Sequence, residues 1–202
     1  MAADLITLAE GALLTQFLTP TAKHYGEITL KRIQHLGEQA RLLLANVGRE
    51  PRPVEEKTLF ALVEAAALET EPTLADKWAA LLANAADPAS KIEISISFAD
   101  ILRQIGVAEI RIIQRLEEKS ENHRRHGVDG RLGSFASSIG MSEEVFGITV
   151  DNLLRLRICE LPPNRYEMGK NGQIMQHTSS KDQIEFTMLG IAFLAAVTPP
   201  AP

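Results

Sequence analysis

Residues 73–88, TLADKWAALLANAADP, decide the fold. Leu74, Trp78, Leu81, Leu82 and Ala85 recur at helical spacing and make one large apolar face. Ala75, Ala79, Ala83 and Ala86 form a second flank of small residues, and Asp76, Lys77, Asn84 and Asp87 share the remaining arc. Thr73 is placed to cap the helix, with Asp76 three residues on as its capping-box partner. Asp87-Pro88 stops it. A bulky face beside an alanine flank predicts burial on two sides. Trp78 is the single tryptophan, and truncating a buried one costs about 3–5 kcal/mol. These residue types pack; they do not do chemistry.

The 202 residues suffice for one large or two small domains. Hydrophobic residues make up 45% and aromatics only 5%, so Leu, Ile and Ala must fill the core, which favours helices. The net charge of −5 argues against broad non-specific nucleic-acid binding. Cys159 stands alone, which excludes a disulfide framework and a thiolate metal cluster; its apolar neighbours Ile158 and Leu161 predict a buried, inert thiol. The opening MAADLITLAEGALLTQFL contains Asp4 and Glu10 and no basic n-region, so it reads as neither a signal peptide nor a membrane span, and a cytoplasmic bacterial-type protein is expected.

Residues 4–18 read as a first helix, apolar on most sides. It has no Lys or Arg to attract lipid headgroups, so burial or docking onto a partner protein is expected. Thr19-Pro20 reads as the start of a long helix reaching Val47 and ended by Gly48. Its Ile33, Leu36, Ala40, Leu43 and Val47 form two heptads, a seam either for the chain's own helices or for a homodimer through this helix. After Arg49-Glu50-Pro51-Arg52-Pro53 a helix is expected over about 54–68, and Thr70-Glu71-Pro72 turns into the Trp78 helix. Residues 1–96 therefore read as a helical bundle. Lys91–Ser97 (KIEISIS) alternates like a strand, either an extended linker or a strand with a later partner.

Residues 97–202 read as a second domain. Ser97 and Asp100 are placed to cap a helix with Phe98, Ile101, Leu102 and Ile105 inward, ended by Gly106. A helix over 108–122 follows, then a basic loop, His123–Arg131. Gly140 and Gly147 separate three short apolar pieces, the last running from Ile148 to Leu161. Residues 164–182 are polar, with a turn at Asn171-Gly172. Residues 183–187 read as a strand, and Thr187 caps a last helix from Met188 to about Val197. Helix, short helix, helix, polar hairpin, strand, helix is the order of a winged-helix domain. The expected fold is mainly α: a helical bundle followed by a winged-helix-like domain with a small β-hairpin.

Leu68-Glu69 leading into the Trp78 helix and its Asp87-Pro88 end resembles the signature of the abortive infection alpha family. Trp78, Leu81, Leu82, Asn84, Asp87 and Pro88 carry it. Ser97-Phe98 with the Ile101-Leu102-Arg103-Gln104 helix, Asp151-Asn152-Leu153-Leu154-Arg155-Leu156 and Thr187-Met188-Leu189-Gly190-Ile191-Ala192-Phe193 are similar to further family segments. Gly106-Val107-Ala108-Glu109 departs from the family's usual Leu-Ser-Pro step, which leaves the start of that helix open. The resemblance implies a phage-defence role in which infected cells are shut down, with an unknown protein or phage component as partner. It brings no established active site, so no catalytic residue is carried over.

His123 and His126 lie three apart among Arg124, Arg125 and Arg131, basic neighbours that disfavour a metal. A solvated loop is the plain reading, and arginines gripping phosphates the sharper one. Arg155 and Arg157 fall on the expected third helix of the winged domain, with Lys170 and Lys181 in its expected wing, a set that would contact DNA or a partner. Asp151 and Glu160 on the same segment oppose phosphate. Glu117-Glu118-Lys119 holds half of a nuclease pattern, more simply a solvated helix face. No nucleophile elbow, phosphate loop or dinucleotide fingerprint occurs, and no cofactor is implied. The expected function is a non-enzymatic one, binding protein or nucleic acid, with a DNA-binding regulator as the alternative.

Overall fold

Trp78 sits at the centre of α3 (Pro72–Ala86), and every residue from Trp78 to Asp87 is buried. The computed structural model describes residues 12–122, 132–161, 165–168, 174–177 and 184–202, with side chains for 28–118, 135–161 and 184–202. The described residues up to Gln104, together with Ala192–Pro202, form one compact unit, and Ile105–Ile191 form another.

In the first unit α3 is buried on both the leucine–tryptophan face and the alanine flank. Its start differs from the expected Thr73 cap. Pro72 takes the first position and Glu71 the N-cap, because a residue without an N–H loses nothing where the first turn leaves N–H groups unpaired. Glu69 Oε1 instead accepts from the N–H groups of Thr70 and Glu71, at 2.8 and 2.9 Å. Asp87 ends the helix in extended backbone before Pro88, as expected.

The α1 helix (Ala12–Asn46) packs along α3. Its 35 residues span roughly 52 Å. It runs unbroken through Thr19-Pro20, which corrects the expected helix start there. An interior proline forfeits its own bond to the carbonyl four residues back, yet its φ is already helical. Of the expected first helix, residues 12–18 belong to α1 and residues 4–11 lie outside the described residues. The buried stripe of α1 is Thr29, Ile33, Leu36, Ala40 and Leu44, while Leu43 and Val47 are only half-buried. Steps of four, three, four and four exceed the heptad period, so the stripe follows a straight helix lying on the chain's own α3. The α2 helix (Glu56–Ala66) turns Leu62 and Ala66 inward.

Residues 91–95 form no strand; α4 (Ile96–Leu102) begins one residue later. Ile92, Ile94 and Ile96 are half-buried and the residues between them exposed, so the alternation marks an extended linker resting one side on protein. Ser95, not Ser97, caps α4 by accepting from Ser97 N–H at 3.2 Å. Phe98 meets Phe193 edge to face, 6.1 Å between centroids.

The second unit is built on α5 (Val107–Asn122), α6 (Leu132–Ser138) and α7 (Glu143–Arg155), with α5 and α6 both packed on α7. Gly106-Val107-Ala108-Glu109 starts a helix all the same. Glu109 Oε2 accepts from Gly106 N–H at 2.9 Å, one half of a capping box. Gly147 does not break the chain, as its position between apolar pieces suggested; it lies inside α7. The Ser142 cap, bonded to Val145 N–H, and the buried Phe146, Thr149, Val150 and Leu153 hold the helix through it. Phe135 of α6 packs edge to face on Phe146 at 5.4 Å.

Two short antiparallel pairings follow α7. Strands β1 (Cys159–Glu160) and β4 (Glu185–Phe186) pair Cys159 with Phe186, and β2 (Arg165–Met168) and β3 (Ile174–His177) pair Arg165 with His177. The chain ends in α8 (Met188–Val197). No helix among the described residues is long and apolar enough to cross a membrane.

Candidate functional site

Asn84 and Asp87, the polar residues of the Trp78 helix that the sequence marks out, are both buried. Asn84 Nδ2 donates to the carbonyls of Ala196 and Thr198 at 2.8 and 2.7 Å. It thereby caps the end of α8, where the last turn leaves carbonyls unpaired. Asp87 Oδ2 accepts from Arg49 Nη1 at 2.7 Å, and its Oδ1 accepts from Ala89 N–H at 2.8 Å. Arg49 reads in the sequence only as part of a polar connection, and nothing local announces this pair. Trp78 Nε1 has no acceptor among the described residues, so packing alone holds the ring. Pro88 is exposed. This set is architecture.

A second polar node closes α7. Arg157 N–H donates to Leu154 and Ile158 N–H to Leu153, both at 3.0 Å, the two bonds of a Schellman motif. Its left-handed position is held by Arg157, at φ 60°. Arg157 therefore lies beyond the helix on which the sequence placed it. Thr187 then joins α8 to this end. Its Oγ1 donates to the Arg157 carbonyl and accepts from Gly190 N–H, and its own N–H donates to the Ile158 carbonyl at 3.0 Å. The expected Thr187 cap is present. Gly190 passes so close that a Cβ would lie 2.1 Å from the Ile158 carbonyl oxygen.

Arg155 is exposed at the last position of α7, where a cation suits the helix dipole. Its Nε and Nη2 donate to Asn152 Oδ1 at 3.1 and 2.8 Å, and Asn152 Nδ2 donates to Glu109 Oε1 at 2.8 Å. One relay thus ties α7 to α5 and orients Arg155. The outward face of α7 before Arg155 carries Glu143, Glu144, Val145, Gly147, Ile148 and Asp151, all exposed and without one cation. Arg124, Arg125, Arg131, Lys170 and Lys181 lie outside the described residues, as do His123, His126 and Asn171-Gly172.

Glu118 pairs with Arg115 at 2.8 Å on an exposed helix surface. Among residues with described side chains, no group of three or more His, Cys, Asp or Glu could hold a metal. Burial pushes the Cys159 thiol up to about 12, which keeps it protonated and unreactive at neutral pH.

The protein-family model of abortive infection alpha matches residues 29–197. The chain belongs to the abortive infection alpha family. Family membership associates it with phage defence. The matched span takes in the Trp78 helix, the Arg155 relay and the Thr187–Gly190 node. No curated protein and no solved structure matches the chain.

Proposed function

We propose that this chain is a non-enzymatic bacterial phage-defence protein that acts by binding another protein through a winged-helix-like second unit. The family match over residues 29–197 carries the defence reading. Within the second unit, the three helices α5, α6 and α7 followed by the β2–β3 hairpin support the winged-helix comparison. Fold alone does not choose between DNA and protein, because such domains bind either. The charge on α7 favours protein. In a nucleic-acid reader the helix before the hairpin turns cations toward the phosphates, whereas here Glu143, Glu144 and Asp151 face out. Plating a broad phage panel on cells with and without the gene tests the reading; equal plaquing throughout would remove it.

A second reading rests on Arg155 and Arg157, both exposed at the carboxyl end of α7. With Lys170 and Lys181 they would make a DNA-binding regulator. Such binding weakens steeply with salt, so a gel shift with genomic fragments at low salt decides it. Absence of any shift would exclude this alternative.

A further inference from the structure

We propose that the outward stripe of α7 is a docking surface for a basic amphipathic helix of another protein, presenting Lys or Arg one turn to either side of an apolar residue. This rests on the protein-binding reading above and names its surface and partner chemistry. Glu144, Gly147, Ile148 and Asp151 are spaced i, i+3, i+4 and i+7, so they share one face. Phe146, Thr149, Val150 and Leu153 on the opposite face are buried in the unit. Ile148, at the centre of the stripe, is 66% exposed, and Val145 on its shoulder is 47% exposed.

Folding does not account for this stripe. Gly147 weakens the helix relative to alanine, yet a Cβ there would meet nothing within 4 Å, so crowding does not require glycine. A bare position beside an exposed isoleucine lets a partner backbone come close. Glu143 and Glu144 suit the amino end of a helix dipole, whereas Asp151 lies outside both terminal turns, where the dipole does not call for a charge. The cation at the far end, Arg155, is engaged by Asn152. The stripe is thus an apolar centre with a carboxylate one turn before and one turn after it. Phosphate is repelled there, and a cation–apolar–cation ridge is its complement.

The test uses the full chain and two fluorescent 18-residue helical peptides with the same leucine stripe, one flanked by Lys and Arg and the other by Glu, read by anisotropy at physiological salt. A 20-base-pair duplex is the third probe. The basic peptide is expected to bind and the acidic one not. Ile148→Ser is expected to weaken binding roughly tenfold, as loss of one buried aliphatic side chain implies. The double reversal Glu144→Lys/Asp151→Lys is expected to exchange the two peptides. Gly147→Arg, placed in open space, provides a second disruption that strengthens the helix. Glu64→Lys, an exposed reversal in the first unit, is expected to change nothing. Binding of the basic peptide that ignores every α7 variant would reduce to attraction by net charge and overturn the proposal. So would binding of the duplex alone. If the variants lose the peptide but still protect cells from phage, this surface fails while the defence reading stands. If the unaltered gene gives no protection but the peptide results hold, the defence reading fails while the surface stands.

Discussion

Gly190→Ala tests the closure of the second unit most sharply. Elsewhere in a helix this substitution stabilises by up to about 1 kcal/mol. Here the new Cβ would lie 2.1 Å from the Ile158 carbonyl oxygen, 3.0 Å from its carbon and 3.3 Å from Cα. An ordinary carbon–oxygen contact needs about 3.3 Å, so α8 must withdraw by roughly an ångström. That motion acts directly on two bonds, from Thr187 N–H to Ile158 and from Thr187 Oγ1 to the Arg157 carbonyl. Each buried partner left unsatisfied costs about 1–3 kcal/mol. Against the propensity gain of up to about 1 kcal/mol, two such losses leave a net cost of about 1–5 kcal/mol. Amide exchange at Ile158 and Phe186 is the assay, because Trp78 fluorescence reports only the first unit. Gly147→Ala is the matched control, an exposed helical glycine whose Cβ would meet nothing, expected to gain up to about 1 kcal/mol. If Gly190→Ala is as stable as the parent, the close approach is not a constraint and the reasoning fails.

The other nodes give further expectations. Arg157→Gly relieves a left-handed residue at φ 60° and is expected to raise stability by about 1 kcal/mol in urea unfolding; a loss of that size would show that the arginine side chain contributes more than its backbone costs. Asn84→Ala strips the caps from the Ala196 and Thr198 carbonyls and is expected to cost about 2–3 kcal/mol, read by Trp78 fluorescence. Arg49→Met leaves Asp87, whose side chain is 3% exposed, without its counter-ion. A loss of about 3 kcal/mol is expected, most of it recovered in the double variant Arg49→Met/Asp87→Leu. The Cys159 thiol is raised from 9.0 to about 12 in the folded chain, so its contribution is whole below about pH 9 and is lost as pH climbs toward 12. Stability is expected to fall by about 1.4 kcal/mol per pH unit through that window, and Cys159→Ala is expected to remove that slope.

Structure set by neighbouring residues is legible in the sequence; structure set by distant partners is not. The α3 helix is legible because its apolar spacing is a property of fifteen adjacent residues. Its start lies two residues before the one that a Thr73 cap predicts, because Thr73 is a good cap but Pro72 is a better first residue. The Thr187 cap is legible because Gly190, which it bonds, is three residues away. The partners of Asn84 and Asp87 are not, because they lie 112 and 38 residues off in sequence. Arg157 hides a helix end that glycine would have announced. KIEISIS leaves linker and strand open because a one-sided linker and a strand share the same alternation, and the structure shows the linker. Arg155 stands out in the sequence by its place on an expected helix, but the relay that orients it depends on Glu109 of α5, 43 residues before Asn152.

These contacts change what the family resemblance says about function. Trp78, Leu81 and Leu82 are core, Asn84 caps α8, Asp87 holds Arg49, and Thr187 and Gly190 join α8 to the end of α7. In Asp151-Asn152-Leu153-Leu154-Arg155-Leu156, Leu153 and Leu156 are buried and Asn152 bonds both Glu109 and Arg155. Each of these residues has a folding role, so their recurrence identifies an architecture and no reaction. Asp151 differs. It is exposed, it lies outside the terminal turns where the helix dipole acts, and it flanks the exposed Ile148. A position that folding does not prescribe is where a requirement from outside the chain shows. The signature thus leads away from the buried tryptophan that defines it and toward the outward face of α7.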